Sequence, residues 1–351
     1  GVEDLLERDP VILDVEQIAG YLKGKCVMVT GAGGSIGSEL CRQVMQMKPS
    51  TLILLGKGEN SIYEIHRELG GIYGTKRIVP IIASVRDTER MAGVYDRYKP
   101  QVVFHAAAHK HVPLMEAQPE EAVRNNVYGS WRTARLAGEK GVETFIMVST
   151  DKAVNPTSVM GATKRVAEKV MQGLNVQFDT KYITVRFGNV LGSRGSVVPL
   201  FKKQIEAGGP VTVTDPEMKR YFMTIPEASQ LILQAGAMGK GGEVFVLDMG
   251  EPVKIVDLAK NMIRLYGHEP DGDIQITFTG LRPGEKLFEE LLSAEEGTSA
   301  TIHKQIFRAN LPNEDPQTIR DQLAKFRNCK TDLEFIEMLQ EMVPTYTPNH
   351  F

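Results

Sequence analysis

The stretch Cys26-Val27-Met28-Val29-Thr30-Gly31-Ala32-Gly33-Gly34-Ser35-Ile36-Gly37 decides the fold class of this 351-residue chain. An apolar run leads directly into a glycine-rich turn, and residues 38–44 continue as a helix. Glycine lets the backbone turn sharply, approach a pyrophosphate and pack the helix closely on the strand. Helix N-terminal amides then hold the negative charge. The stretch predicts a dinucleotide-binding unit with cofactor contacts at Gly31, Gly33, Gly34, Ser35, Ile36 and Gly37.

Short aliphatic runs alternate with longer amphipathic stretches from residue 26 to residue 187. This alternation predicts parallel strands joined by crossover helices, and hence an α/β fold with a Rossmann-type doubly wound parallel sheet. Alternation alone also fits an α/β fold that binds no nucleotide. The predicted strands are 26–30, 51–55, 77–82, 101–105, 143–148 and 181–187.

The alternation breaks down after residue 191, where joints rich in Gly and Pro appear at 208–210, 239–242 and 282–284. We therefore predict an N-terminal arm over residues 1–24 and a dinucleotide-binding domain over residues 25–190. Residues 191–351 are predicted to form mainly a smaller substrate-binding lobe. Apolar residues at helical spacing, Leu333, Ile336 and Leu339, predict a peripheral helical tail at its end.

Composition excludes several classes of protein. The 41 basic and 44 acidic side chains give a net charge of -3, which does not favour nucleic acid as a partner. The three cysteines lack metal-ligand spacing and fit a reducing compartment, so we expect no metal site and a cytoplasmic location. No stretch approaches the roughly 20 apolar residues that span a bilayer. Because the chain opens on Gly1, we expect it to be part of a longer protein.

The end of the second predicted strand bears on the choice of cofactor. An acidic residue usually holds the adenosine ribose there, but the chain reads Leu55-Gly56-Lys57-Gly58. Lys57 could pair with a 2′-phosphate, or it could be an ordinary loop lysine. NAD and NADP both remain open.

The glycine spacing Gly31-x-x-Gly34-x-x-Gly37 after Thr30 resembles that of extended short-chain dehydrogenases/reductases. In that family a Tyr-x-x-x-Lys pair follows the fifth strand: the tyrosine moves the hydroxyl proton, and the lysine lowers its pKa and holds the ribose. Lys164 matches the lysine, but Met160 stands at the tyrosine position, and a thioether carries no proton. The chain is therefore either a non-catalytic binding protein or an enzyme that uses another residue for proton transfer.

The combination of Thr150-Asp151-Lys152 with Met160 and Lys164 resembles the UDP-N-acetylglucosamine 4,6-dehydratases, the CapD-like polysaccharide biosynthesis proteins. The resemblance covers nearly the whole chain from about Arg8. It implies a recycled NAD or NADP that takes hydride from carbon 4 of UDP-N-acetylglucosamine, loss of water across carbons 5 and 6, and return of hydride to carbon 6. Lys152 would be the base at carbon 5, which requires a neutral amine favoured by desolvation and by nearby positive charge. Asp151 would be the acid for the 6-hydroxyl, and Asp151 or Thr150 would accept the 4-hydroxyl proton.

The resemblance also assigns binding residues. Asp87 matches the aspartate that contacts adenine, and Val85, Ala106 and Ala107 lie in the matching cofactor segments. The substrate residues that it implies are His111, Asn189, Arg220, Arg282 and Glu285, the arginines facing the diphosphate because a guanidinium presents paired donors. The alternative for the pair His109 and His111 is a metal site, for which no third ligand is evident.

Several alternatives remain open after this comparison. A UDP-sugar 4-epimerase would keep the 6-hydroxyl, and a regulator could bind NADP without turnover. The residues do not distinguish retention from inversion at carbon 5. A homo-oligomer is usual in the family, and many relatives carry membrane-spanning helices upstream, which is consistent with a membrane-tethered protein that feeds a bacterial glycan or capsule pathway.

Overall fold

The computed structural model describes residues 1–6, 8–290 and 297–349. The strands are β1 (Cys26–Thr30), β2 (Thr51–Gly56), β3 (Ile78–Ile82), β4 (Val102–His105), β5 (Thr144–Thr150), β6 (Lys181–Phe187), β7 (Asn189–Leu191), β8 (Val211–Val213), β9 (Lys219–Arg220), β10 (Phe222–Thr224), β11 (Val244–Leu247), β12 (Val253–Lys254), β13 (Ile276–Phe278), β14 (Thr298–Ala300) and β15 (Ile306–Ala309).

The α-helices are α1 (Val15–Leu22), α2 (Ser35–Gln46), α3 (Glu59–Tyr73), α4 (Thr88–Tyr98), α5 (Val112–Glu116), α6 (Pro119–Ala122), α7 (Ser130–Glu139), α8 (Val159–Gln177), α9 (Val197–Glu206), α10 (Ile225–Met238), α11 (Ile255–Leu265), α12 (Pro316–Lys325) and α13 (Asp332–Met342). A π-helical stretch, Val123–Gly129, joins α6 to α7, and short 3₁₀ helices lie at Val2–Leu6, Asp151–Ala153 and Phe326–Asn328.

Nine strands of the described residues form one sheet in the order β14-β15-β11-β6-β5-β4-β1-β2-β3. Strands β1 to β6 and β11 run parallel, and β14 and β15 add an antiparallel edge. The order of the strands along the chain changes direction between the neighbouring strands β1 and β4. Folds of this kind bind dinucleotides at that point. The predicted Rossmann-type sheet is confirmed, and each of the six predicted strands is present within two residues of its predicted ends.

The central strands are apolar along their whole length because helices cover both faces of the sheet. Met28 and Ile53 pack into one hydrophobic core, whereas their neighbours Val29 and Leu54 pack into the other. Side chains of successive strand residues point to opposite faces, so a continuous apolar run fills both cores. This rigid support fixes the carboxyl ends of β1, β4 and β5, where the site lies.

The second lobe is smaller than the first domain. Beyond residue 190, segments that belong to the lobe alternate in the sequence with segments that belong to the main sheet. Its own core comes from α9, α11 and the strands β8 and β13, which pair in parallel. However, residues beyond 190 also return to the first domain: α10 packs on the sheet, β11 pairs with β6, and β15 pairs with β11. Residues 191–351 therefore contribute both to the lobe and to the main sheet.

The C-terminal tail is not peripheral, and that part of the prediction is wrong. The helix predicted from Leu333, Ile336 and Leu339 is present as α13, but its apolar face packs into the first core with α8. Leu339 and Met342 are fully buried there. An amphipathic pattern shows that a helix has an apolar face, but not which surface covers it.

The N-terminal arm is attached to the same body. Arg8 donates to Glu227 (2.9 Å) and to the Asp248 carbonyl (2.7 Å), and the Asp14 amide donates to the side chain of Gln234 (2.8 Å). Across the described ranges of the chain, no helix combines the length and the apolar character needed to cross a bilayer.

Candidate active site

The glycine-rich turn after β1 leaves no room for side chains. Gly31 has φ +64°, and a Cβ there would lie 2.6 Å from the Ala106 carbonyl oxygen. A Cβ on Gly37 would overlap the carbonyl oxygen of Gly31. Helix α2 starts at Ser35, and its N-cap residue, Gly34, provides no side-chain cap. The first amides of α2 are therefore available to an anion, as a dinucleotide diphosphate requires.

A buried chain of hydrogen bonds lies next to this turn and links Thr30, His105 and Ser130. The Thr30 hydroxyl lies 2.7 Å from His105 Nδ1, and His105 Nε2 lies 2.8 Å from the Ser130 hydroxyl. Burial, assisted by the charge of Lys164, lowers the pKa of His105 to about 3. His105 is therefore neutral at physiological pH and joins β4 to β1 and α7.

One cavity of about 1010 Å³ runs from the glycine-rich turn to the second lobe. It brings together most of the residues predicted from the sequence. Those in its wall are Gly34, Ser35, Ile36, Gly37, Ala106, His111, Thr150, Lys152, Met160, Lys164, Asn189, Arg220, Arg282 and Glu285.

The other predicted residues lie outside the wall of this cavity. Gly31 and Gly33 belong to the packed turn, Ala107 after β4 lies against Gly31, and Val85 is buried in the first core. Asp87 caps α4 by accepting from the Arg90 amide (3.0 Å). Lys57 is exposed, and its charge lowers the pKa of His109, after burial as the main cause. Asp151 is 0% exposed.

The segment Thr150-Asp151-Lys152 lies where β5 ends and a short 3₁₀ turn begins. The Thr150 hydroxyl donates to Asp151 Oδ1 (3.2 Å), and the Lys152 ammonium donates to the same oxygen (3.2 Å) and to Asn189 Oδ1 (3.0 Å). Asp151 Oδ2 has no hydrogen-bond partner among the described residues. Thr150 and Lys152 line the cavity, and both side chains donate to the buried carboxyl group of Asp151.

Met160 and Lys164 lie one turn apart on α8 and both line the cavity. Met160 is 2% exposed and offers only its thioether. The Lys164 ammonium donates to the Val148 carbonyl (2.8 Å). Burial lowers the pKa of Lys164 to about 8, against the attraction of Glu168. Lys164 is therefore the titratable member of this pair.

A fully buried ion pair lies beneath the end of β5. Arg186 donates to both carboxylate oxygens of Glu168 (2.8 and 2.7 Å), and the Ser149 hydroxyl donates to Glu168 (2.7 Å). Both charged side chains are 0% exposed. This arrangement ties α8 and β6 to the residue just before Thr150.

Two predicted substrate residues contact the protein itself. The Arg220 guanidinium donates to the carbonyls of Lys219 (2.8 Å), Leu287 (3.1 Å) and Lys286 (2.6 Å). Three of the guanidinium donors thus hold the backbone, and because Arg220 also lines the cavity, its contact with the diphosphate remains a prediction. Arg282 is exposed and pairs with Glu285 (2.8 Å), so a diphosphate contact from Arg282 remains a prediction.

Comparison with known proteins identifies the family of this chain. A profile of the family described as polysaccharide biosynthesis protein matches residues 27–311. The chain belongs to this polysaccharide biosynthesis family. The predicted relationship to the CapD-like members of the extended short-chain dehydrogenases/reductases is thereby confirmed.

Three proteins that are similar to this chain show how far the names within the family differ. The capsular polysaccharide biosynthesis protein CapD of Staphylococcus aureus is 61% identical over 88% of this chain and 52% of its own length. An inverting UDP-N-acetylglucosamine 4,6-dehydratase of Campylobacter jejuni is 32% identical over 78% of this chain and 79% of its own length. A UDP-glucose 4-epimerase of Rickettsia canadensis is 33% identical over 83% of this chain and 84% of its own length. The chain spans about half the length of CapD, and overall identity does not separate dehydration from epimerisation.

Sequence reasoning missed charged residues that complete the site in this polysaccharide biosynthesis protein. Lys286 and Glu289 line the cavity, and the Glu116 carboxylate accepts from the Val159 amide at the start of α8 (2.5 Å). In the sequence, 285–290 looks like an exposed charged stretch. Its position after Arg282-Pro283-Gly284 is the signal that could have drawn attention to it.

Proposed function

We propose that this chain is a UDP-N-acetylglucosamine 4,6-dehydratase that makes UDP-4-keto-6-deoxy-N-acetylhexosamine for glycan or capsule synthesis. The observation that carries the proposal is the Asp151–Lys152 pair beside a cavity in which Met160 occupies the tyrosine position. An acid and an amine at one point suit elimination, which needs one group to remove a proton and another to deliver one. The name of the Campylobacter relative supports dehydration, and the name of CapD supports a place in capsule synthesis.

The proton balance of this reaction explains how the site works without a tyrosine. The departing water takes its hydroxyl from carbon 6 and its second proton, in the net balance, from the 4-hydroxyl. The carbon 5 proton leaves and is later replaced. A single carboxyl group can therefore accept the 4-hydroxyl proton and then deliver it to the 6-hydroxyl, provided that a second group serves carbon 5.

Asp151 is the proposed carboxyl group, acting through Thr150. Asp151 is fully buried, but Thr150 lines the cavity and its hydroxyl donates to Asp151 Oδ1 (3.2 Å). A hydroxyl both donates and accepts, so Thr150 can pass a proton between substrate and carboxylate. Lys152 is the proposed base at carbon 5, because its side chain also lines the cavity.

The cavity fits a nicotinamide dinucleotide, because Gly34 leaves the first amides of α2 uncapped and Gly37 tolerates no side chain. The bound cofactor would supply the hydride acceptor at carbon 4 and the donor at carbon 6. The residues proposed to hold it are Gly34, Ser35, Ile36 and Gly37 at the diphosphate, Ala106 just after β4, and Lys164 at the ribose. His111, Asn189, Arg282 and Glu285 are proposed to contact the sugar nucleotide, Asn189 while it also orients Lys152.

We further propose a preference for NADP, because the loop after β2 carries the exposed Lys57 and no carboxylate before Glu59. Lys57→Ala should raise the dissociation constant for NADP by about fivefold, since an exposed charged contact contributes about 1 kcal/mol. The affinity for NAD should stay the same. Calorimetric titration of both cofactors against both proteins measures this, and equal losses for the two cofactors would contradict the preference.

Cofactor affinity should also depend on pH through Lys164. Its pKa is lowered to about 8, so the ammonium is present below that pH and is lost above it. Dinucleotide binding should therefore weaken between pH 7 and pH 9. In Lys164→Met the affinity should be lower at every pH and the step near pH 8 should vanish. A step of equal size in the variant would assign the titration to another group.

The proposed activity is tested by mass spectrometry of UDP-N-acetylglucosamine before and after incubation with the protein and cofactor. Dehydration predicts a product lighter by one water. Conversion to the 4-epimer changes no mass, and a cofactor-binding regulator produces no new compound. An epimer, detected by chromatography without mass loss, would replace the dehydratase assignment with the 4-epimerase.

A further inference from the structure

A short segment of the tail, residues 347–349, lies beside the loop that leads into α8. We call this segment the strap. The Thr347 amide donates to the Pro156 carbonyl (2.9 Å), and the Asn349 amide donates to the Thr157 carbonyl (3.2 Å). The loop that accepts these bonds follows the 3₁₀ turn after β5 and ends where α8 begins. The strap is therefore bonded to the backbone that connects the catalytic turn to α8.

The strap also holds a segment of the second lobe. The Gly284 amide donates to the Asn349 carbonyl (2.8 Å), and the side-chain amide of Asn349 donates to the Glu285 carbonyl (3.1 Å). Asn349 thus uses its backbone N–H on one side and its backbone carbonyl and side chain on the other. A single residue links the loop before α8 to residues 284 and 285.

The hydrophobic core anchors the other end of the strap. Tyr346, the residue just before it, is 3% exposed and packs into the first core together with Leu339 and Met342 of α13. The Tyr346 amide donates to the Val343 carbonyl (2.9 Å), which continues the hydrogen bonding at the end of that helix. The strap therefore extends from a packed element, and its position is set by the core.

The segments that the strap joins belong to the cavity wall. Thr157 lines the cavity on one side, and residues 282–286 line it on the other. Two direct bonds also connect these sides: the Thr157 hydroxyl donates to the Gly284 carbonyl (2.9 Å), and Lys286 Nζ donates to the Val154 carbonyl (2.6 Å). Among the described residues of the wall, none comes from the strap itself. The strap acts behind the wall, so its influence on a bound ligand is indirect.

We propose that Asn349 is a positioning residue that holds residues 282–285 beside the start of α8 and thereby sets the affinity of the cavity for the nucleoside diphosphate part of the substrate. The inference rests on the proposed function, which assigns Arg282 and Glu285 to the sugar nucleotide. A wall segment that is already fixed loses little conformational freedom when a ligand binds, so more of the contact energy appears as affinity. Without the bonds from Asn349, the ligand itself has to order that segment.

The test compares Asn349→Ala and Asn349→Asp with Asn328→Ala. Both substitutions of Asn349 remove the donor to the Glu285 carbonyl, and aspartate keeps the size of the side chain. The dissociation constant of UDP should rise by about fivefold, the effect expected from one hydrogen bond between neutral groups. The affinity for NADP should stay the same, because the bonds of Asn349 go to segments away from the glycine-rich turn. Asn328 is exposed, so Asn328→Ala should keep both affinities. Calorimetric titration with UDP and with NADP measures them.

Steady-state kinetics separate positioning from a general structural role. Both Asn349 variants should raise KM for UDP-N-acetylglucosamine by about fivefold and leave kcat nearly unchanged, since the reacting groups stay in place. An unchanged UDP affinity, an equal loss of UDP and NADP affinity, or a lower kcat at constant KM would overturn the inference. A wild type that binds UDP but does not dehydrate UDP-N-acetylglucosamine would contradict the proposed function, and the UDP titrations would still decide the role of Asn349. A wild type that binds no UDP would overturn both.

Discussion

Lys152→Ala is expected to lower kcat for dehydration by about 10²- to 10⁴-fold, the usual effect of losing a general base. Lys152 is the amine in the cavity wall beside Asp151, and Met160 provides no substitute for it. Oxidation at carbon 4 does not require this amine, so reduced cofactor should accumulate in the variant. Steady-state product formation and the absorbance of the reduced nicotinamide measure the two effects.

Two further substitutions serve as controls. Lys152→Arg keeps a positive charge but offers no neutral amine, so it should be as inactive as Lys152→Ala. Lys140, which pairs with Asp96 at the surface (2.7 Å), is a lysine away from the cavity, and Lys140→Ala should have wild-type activity. Substantial turnover by Lys152→Arg would show that Lys152 contributes charge and not basicity.

Arg186→Met is expected to lower the free energy of unfolding by about 3 kcal/mol, the lower end of the usual cost of removing one partner of a buried ion pair, because Arg165 still pairs with Glu168 (3.2 Å). Glu168 would keep its charge, the Ser149 hydroxyl and the donor from Arg165, but would lose two donors from Arg186. Replacing both charges, as Arg186→Met with Glu168→Leu, should recover most of the stability. Urea unfolding of the three proteins measures the difference.

The same ion pair predicts an acid-dependent loss of stability. Burial alone would raise the pKa of Glu168, but Arg186, Arg165 and Ser149 outweigh burial and lower it from the ordinary value of 4.5. A carboxyl group with a lowered pKa in the folded state stabilises the protein above the unfolded value, and this contribution is lost as pH falls. The protein with the double substitution should therefore lose less stability than the wild type when the pH falls below about 4.5. An identical acid dependence in both proteins would show that other groups cause it.

The sheet and the position of the site were predictable because each depends on a local pattern. The strand at 26–30 carries its turn glycines in sequence, and the close contacts of Gly31 and Gly37 explain why only glycine fits there. Parallel strands place their carboxyl ends at one edge, so the segment after β5 had to face the turn after β1. The resemblance added the chemical roles of Asp151 and Lys152.

The features that the sequence did not reveal depend on contacts between distant parts of the chain. Strand β11 is a run of four apolar residues, and nothing within it says that it pairs with β6 rather than with a lobe strand. The sequence shows that Arg220 has a guanidinium, but not that three of its donors bind the carbonyls of 219, 286 and 287. Glu289 looks like a surface residue until the fold buries it. Burial and hydrogen-bond partners are properties of the assembled structure, and a local pattern does not contain them.

The most direct test of the central claim is to incubate the protein with UDP-N-acetylglucosamine in deuterated water and to follow the sugar by NMR. Our account predicts a 4-keto-6-deoxy product with deuterium at carbon 5, because the amine hydrogens of Lys152 exchange with deuterated water before the base returns one of them to carbon 5. The ring couplings of that product would distinguish retention from inversion. A product that keeps the 6-hydroxyl and differs only in configuration at carbon 4 would contradict dehydration and identify a 4-epimerase.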